Sequence, residues 1–396
     1  MGSRILFCCG LAALIAGSTA NSGEVRFRKI VLDKTFRAEG VATGDVNHDG
    51  KLDVLAGDVW FEAPDWKMHE LRPVGAYNPE KGYSKCFAQF ARDVNGDGWV
   101  DTIIVGMPGG PALWYENSQG KPGHWKERVL WKSACNETPV AADLLGDGKP
   151  VPIFGVQPEG QLTWFGIPKD LEKPWDAHPI STTNNVSAVR FAHGLGVGDM
   201  NKDGRNDMLF TNGWWEAPED RAQSPWKFHP AKLGPHCANM IVYDVNGDGF
   251  ADVITSSAHD YGMWWFEQKK TDKGVEFAQH EIFGKPKAEP YAADEFRPFS
   301  EAHALMMADI NGDGLPDLVT GKRWYAHNGG DPGGKEAAVL YWFEQKHAGK
   351  DVQWMPRKID DDSGVGTQFE VRDMNGDSKL DIVISNKKGV FIFMQE

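Results

Sequence analysis

The chain has 396 residues, 41% hydrophobic and 25% charged, with 16 Trp and a formal net charge of −14. That is ample material for a large core, and with no basic stripe to hold a polyanion it excludes nucleic acid as a partner. Past the N-terminal stretch no apolar run reaches the roughly 18 residues of a membrane span, so no span is expected.

Residues 1–20 carry Arg4, an apolar core LFCCGLAALIAG and a small-residue end, Ser18-Thr-Ala20. This is the pattern of a secretory signal, and a secreted or periplasmic protein is expected, with one domain over 21–396. The segment 25–31, Val-Arg-Phe-Arg-Lys-Ile-Val, alternates like an outer strand.

From there one motif recurs seven times. In its clearest copy Asp309, Asn311, Asp313 and Asp317 stand at positions 1, 3, 5 and 9, with Gly314 at position 6, where the backbone must turn sharply. Hard cations take six to eight oxygen ligands, and such a loop supplies most of them with one backbone carbonyl, so each copy reads as a calcium loop. It lacks the EF-hand Glu at position 12, and its apolar flanks are of strand type. The other full copies are Asp45, Asn47, Asp49, Asp53; Asp93, Asn95, Asp97, Asp101; Asp199, Asn201, Asp203, Asp207; Asp244, Asn246, Asp248, Asp252; and Asp373, Asn375, Asp377, Asp381, the last with Ser378 in place of the turn glycine. The copy at Asp143 keeps Asp147 but has Leu145 and Val151 at positions 3 and 9. Six structural calcium ions are therefore expected, with none in that copy.

The leading Asp residues are spaced by 48, 50, 56, 45, 65 and 64 residues. That is the size of one four-stranded propeller blade with variable loops. After each loop comes a β-branched strand such as Asp101-Thr-Ile-Ile-Val, then an aromatic strand such as Trp114-Tyr-Glu, then an outer strand such as Trp125-Lys-Glu-Arg-Val. The aromatics read as packing between blades, and His69, His178, His229 and His280 on outer strands read as solvent-exposed. Behind the seventh loop there is sequence for only two strands, so segment 25–31 is expected to pair with the C-terminal strand and close the ring. The fold expected is all-β, a single seven-bladed β-propeller with calcium loops between the first and second strands. Cys86, Cys135 and Cys237 are odd in number for a disulfide framework and read as small buried residues near the inner strands.

Six residues before each leading Asp lies a position on the innermost strand, near one channel mouth: Glu39, Phe87, Glu137, His193, Ala238, His303 and Thr367. A structural position would repeat one residue type, whereas this one varies beside a nearly constant loop. His236 lies two residues earlier in its own blade. Imidazoles and carboxylates on one axis, here His193, His236, His303, Glu137 and Glu39, are a ligand set for a divalent transition metal, zinc first. The same residues would serve equally as hydrogen-bonded channel lining. Strand geometry puts the loops joining second and third strands on this face, including 257–262 with His259 and the insertion 322–335. Long polar loops beside a channel mouth are where binding groups collect.

The D-x-N-x-D-G-x-x-D loops resemble the FG-GAP or VCBS repeats of integrin α-subunit propellers and many secreted bacterial proteins. A narrower likeness lies in Phe299-Ser-Glu-Ala-His-Ala-Leu305 and Gly321-Lys-Arg-Trp-Tyr-Ala-His-Asn-Gly-Gly-Asp-Pro-Gly333, similar to the propeller portion of fungal aldos-2-ulose dehydratases. The cupin-like domains of those enzymes have no counterpart here, so an isomerase activity housed there is not carried over. The resemblance implies metal-assisted β-elimination from a keto-sugar or related carbohydrate. In that reading His259 or Tyr325 abstracts the proton, while Lys322, Arg323 and His327 position hydroxyls or the leaving group. The rival is a non-catalytic carbohydrate- or protein-binding propeller, which would carry no channel metal; a quinone-dependent sugar dehydrogenase is disfavoured because such propellers do not need these repeats.

Overall fold

In the computed structural model, which describes residues 24–235, 237–272, 274–292, 295–349 and 351–396, every Asp-rich loop is a turn between two strands. The secretory signal expected at 1–20 lies outside the described residues. The loops are shaped by short-range bonds. Asp45 accepts from the N–H groups of Asp49 and Gly50, each at 3.0 Å, and Asn47 accepts from Asp49 N at 3.1 Å. Side-chain acceptors two to five residues back thus do the work of a backbone turn. Position 6 is left-handed, with Gly50 at φ 83°. Ser378 takes the same conformation at φ 68° and donates its N–H to Asp373 at 2.8 Å, so its departure from glycine leaves the loop unchanged.

Position 9 has a further role. Asp53 is wholly buried, and its two oxygens accept from Val46 N at 2.9 Å and from Ala63 N, just past the third strand, at 2.8 Å. Asp101, Asp207, Asp252, Asp317 and Asp381 make the same pair of bonds in their own repeats. Each carboxylate therefore clamps its loop to the aromatic strand by taking two backbone donors that burial would otherwise strand. In the divergent copy, where Val151 stands, Leu144 N turns to Ala142 O at 2.8 Å instead.

The described strands form seven four-stranded antiparallel sheets. Blade 1 runs Ala42–Gly44, Asp53–Ala56, Val59–Glu62 and Lys67–Glu70 from the channel outward; blades 2 to 6 follow over 88–131, 140–179, 196–230, 241–283 and 305–360. Second strands are buried on both faces, as in Asp101–Val105, which explains their unbroken β-branched character. Blade 7 has Glu370–Arg372, Asp381–Asn386 and Gly389–Gln395, and its fourth strand is Phe27–Asp33. Register runs from Phe27 opposite Gln395 to Asp33 opposite Val390, so the first strand closes the ring against the last. No helix among the described residues is long and apolar enough to cross a membrane.

Cys86, Cys135 and Cys237 are free and buried. The outer-strand histidines are not merely solvent-exposed. His69, His178, His229 and His280 stack on Trp60, Trp164, Trp214 and Trp265 of the neighbouring strand, with ring centroids 4.3, 3.9, 4.1 and 4.2 Å apart. Three of them also meet the Glu two residues after that Trp, at 2.7 Å. These are cross-strand pairs that hold the blade's outer edge.

Candidate functional site

The residues six before each leading Asp sit in the lead-in to the innermost strand, one to three residues ahead of it, rather than on the strand itself. The lead-ins are tied in a belt around the channel. Glu39 N donates to Cys86 O at 2.9 Å, Glu137 N to Ala192 O at 3.0 Å, and Thr367 N to Glu39 O at 2.9 Å. Blades approach so closely here that a Cβ on Gly366 would lie 1.9 Å from Glu39 O. A rigid belt directs its side chains into one small space.

Glu137 is the hub. Its Oε2 is 2.8 Å from His193 Nε2 and its Oε1 3.8 Å from His303 Nε2. Arg323 Nη1 donates to Glu137 Oε1 and lies 3.1 Å from His303 Nε2. From the loop of blade 5, His259 brings its Nε2 to 3.2 Å from that of His193. The blade 6 insertion contributes Asp331, which takes His259 Nδ1 at 3.2 Å and His327 Nδ1 at 2.8 Å, and the rings of His259 and His327 stack at 4.6 Å. Among the described residues, two sets of three acidic or imidazole side chains bring ligand atoms within 4.8 Å of one another: Glu137 with His193 and His303, and Glu137 with His259 and His327. None of the loop carboxylates among the described residues belongs to either group.

Burial governs the charges. It would raise the Glu137 carboxyl, but Arg323 and the imidazoles of His193 and His303 hold it well below the usual range. His303 is pushed well below its ordinary value by burial and then by Arg323. Burial, with His193 beside it, brings His259 down to about 4. Glu39 goes the other way, up to about 7, because burial outweighs Arg323 and Ser84. The centre is thus an anionic carboxylate with the neutral imidazoles of His303 and His259 near it.

Several expected residues end elsewhere. Glu39 is outside both three-residue groups; Ser84 holds it through the hydroxyl and, at 3.2 Å, the N–H. Lys322 is 0% exposed and bonds Glu301 and Ser300 at 2.7 Å each. Tyr325 packs its ring against Trp324 and Lys387. His327 stands at the rim, its side chain 43% exposed. His236 lies outside the described residues.

Sequence reasoning missed Asp331, Tyr83 and Lys387. Asp331 stands four residues after His327 inside the named insertion, and that spacing was the available signal. Tyr83 faces Arg323 with the ring 5.4 Å from the guanidinium carbon, and Lys387 lies with its ammonium 4.6 Å from the same ring. Both come from connections that do not repeat, so nothing local marked them.

An FG-GAP-like repeat family matches residues 244–320 and 309–384. No curated protein sequence matches. Among solved structures the chain is similar to an exotype rhamnogalacturonan lyase, YesX, at 12% identity and TM-score 0.48, covering 91% of this chain and 72% of that one. It is also similar to a Bacillus licheniformis rhamnogalacturonan lyase, at 11% identity and TM-score 0.47, covering 93% and 75%. A third is the V. cholerae biofilm matrix protein Bap1, at 11% identity and TM-score 0.42, covering 91% and 88%. The propeller assignment rests on the seven sheets themselves, and none of these matches carries the aldos-2-ulose dehydratase resemblance.

Proposed function

We propose that the protein is a secreted carbohydrate-active lyase that performs β-elimination on a keto-sugar or related glycoside at the channel mouth. The observation that carries this is the meeting of Glu137, His193 and His303 beside a carboxylate-backed imidazole, His259 on Asp331. The resemblance of 299–305 and 321–333 to the dehydratase propellers supplies the reaction class.

One carboxylate and two imidazoles, with His303 held neutral, fit a divalent transition ion such as zinc. Bound there, it would polarise the substrate carbonyl as a Lewis acid. The remaining roles belong to the chain. His259, oriented through Nδ1 by Asp331, accepts the proton α to the carbonyl at Nε2, and Asp331 stabilises the imidazolium that forms. Electrons of that C–H bond form the C=C bond as the β-hydroxyl departs, and His327 at the rim donates the proton that makes it water.

The six complete loops are proposed to hold calcium, which would screen carboxylates that burial and their loop neighbours push up to about 6 at Asp53 and about 7 at Asp317. A second reading, a calcium-stabilised binding propeller without catalysis, is favoured by one feature: Arg323 Nη1 already touches both Glu137 and His303. Metal analysis in excess calcium separates the two. Retained zinc, an ultraviolet-absorbing enone product from keto-sugars, and loss of that product but not of zinc in His259→Ala support the lyase; no transition metal and no product would replace it with the binding module.

A further inference from the structure

A hollow of about 510 Å³, within the range of small-molecule sites, is walled by loop 107–110, Ser133, Cys135, Gln157 and Arg190. It is open to solvent, since Arg190 is exposed and Met107 is 38% exposed. Its walls are second-to-third-strand loops of blades 2 and 3 and the lead-ins of blades 3 and 4, the kinds of connection that carry the histidine cluster. Glu137 follows Cys135 by two residues and His193 follows Arg190 by three. An extended residue spans at most about 3.6 Å, so these backbone positions lie no more than roughly 7 and 11 Å apart. Phe191 N donates to Cys135 O at 2.8 Å and Glu137 N to Ala192 O at 3.0 Å, so the hollow and the site stand on the same pair of lead-ins.

Arg190 is the one charged side chain among those walls. Its Nε donates to Pro108 O at 2.8 Å, and its guanidinium carbon lies 4.8 Å from the Phe191 ring, which together hold it in place. Nη1 and Nη2 have no partner among the described residues, and that edge offers two parallel donors. Glu159, whose charge reaches Cys135, is paired with Lys132 at 3.3 Å instead. Gln157 donates its NH2 to Ala188 O at 2.8 Å and keeps Oε1 as an acceptor. A guanidinium with no carboxylate in the walls around it makes a positive hollow in a chain of net charge −14, and its paired donors match an oxyanion. We propose that the hollow is a subsite for a carboxylate or sulfate ester on a sugar unit neighbouring the one held at the histidines. The Nη edge of Arg190 donates to two oxygens of that group, and Gln157 Oε1 accepts from a hydroxyl of the same unit. The inference rests on the carbohydrate reading above and makes the ligand a charged oligosaccharide.

Calorimetric titration of the full chain with galactotriose, trigalacturonate and a sulfated galactotriose tests it. At least one charged ligand should bind about tenfold or more tightly than the neutral one, and whichever does so names the group. Arg190→Gln should bring the charged ligands down to the neutral one's affinity, while the cobalt(II) absorption of the histidine site stays as in the parent. Arg190→Lys should keep part of the margin, because the charge remains and the paired donors go. Should Arg190→Gln fail to fold, that partial loss decides the matter. Equal binding of all three ligands, a margin untouched by substitution of Arg190, or no binding at all would overturn the subsite. The charged preference without any elimination product would count against the lyase alone, and product from keto-sugars without that preference would count against the subsite alone.

Discussion

Replacing Asp317 by Ala removes both acceptors of one loop clamp. Ile310 N at 3.1 Å and Gln345 N at 3.0 Å lose their partner, and both residues are buried. A stranded buried donor costs about 1–3 kcal/mol, so the pair costs roughly 2–6 kcal/mol. Against this stands relief of a carboxyl that burial, with Asp313 and Asp309 nearby, pushes up to about 7, which leaves a net loss of about 2–4 kcal/mol. Asp317→Asn keeps one acceptor and should lose about half as much. Urea unfolding followed by tryptophan fluorescence measures it, in excess calcium and again in EGTA. A cost equal in both buffers assigns Asp317 to the clamp alone, and a larger cost with calcium adds ion ligation. The divergent loop offers an escape, since Leu144 N there reaches Ala142 O without any carboxylate. If Ile310 N relaxed in the same way and the loss were under about 0.5 kcal/mol, the ordinary range of a surface substitution, the clamp argument would be refuted.

The same carboxylates set a pH dependence. Their folded pKa values, about 6 at Asp53 and Asp101 and about 7 at Asp207, Asp252 and Asp317, lie above the unfolded value. Their contribution to stability is thus full below about pH 4 and is lost as pH rises through 6 to 7. Calcium binds the ionised form, so the gap in melting temperature between calcium and EGTA should widen from pH 5 to pH 8; an equal gap at both would remove calcium from the loops. Lys322→Met should cost about 3–5 kcal/mol by leaving Glu301 as an uncompensated buried charge. A stable Lys322→Met variant with a raised KM for sugar would return that lysine to substrate binding.

The repeat, the blade count and the ring closure were legible in the chain alone because they rest on near-neighbour chemistry. Asp45 meets Asp49 and Gly50 within one loop, the strand pattern alternates over a few residues, and seven loops with one outer strand too few dictate a closing N-terminal strand. The variable position before each inner strand also exposed Glu137, His193 and His303, since a scaffold position would have repeated. Which of those side chains meet was decided only by the tertiary structure. Arg323 reaches Glu137 across 186 residues of sequence, and Asp331 reaches His259 across 72. Glu39, His193 and His303 hold equivalent places in the repeat, yet Ser84 holds the first apart while Glu137 gathers the other two. Partners at that range come from the unrepeated insertion and from the closeness of the blades at the belt, where charge pairing under burial, rather than local pattern, selects the contacts.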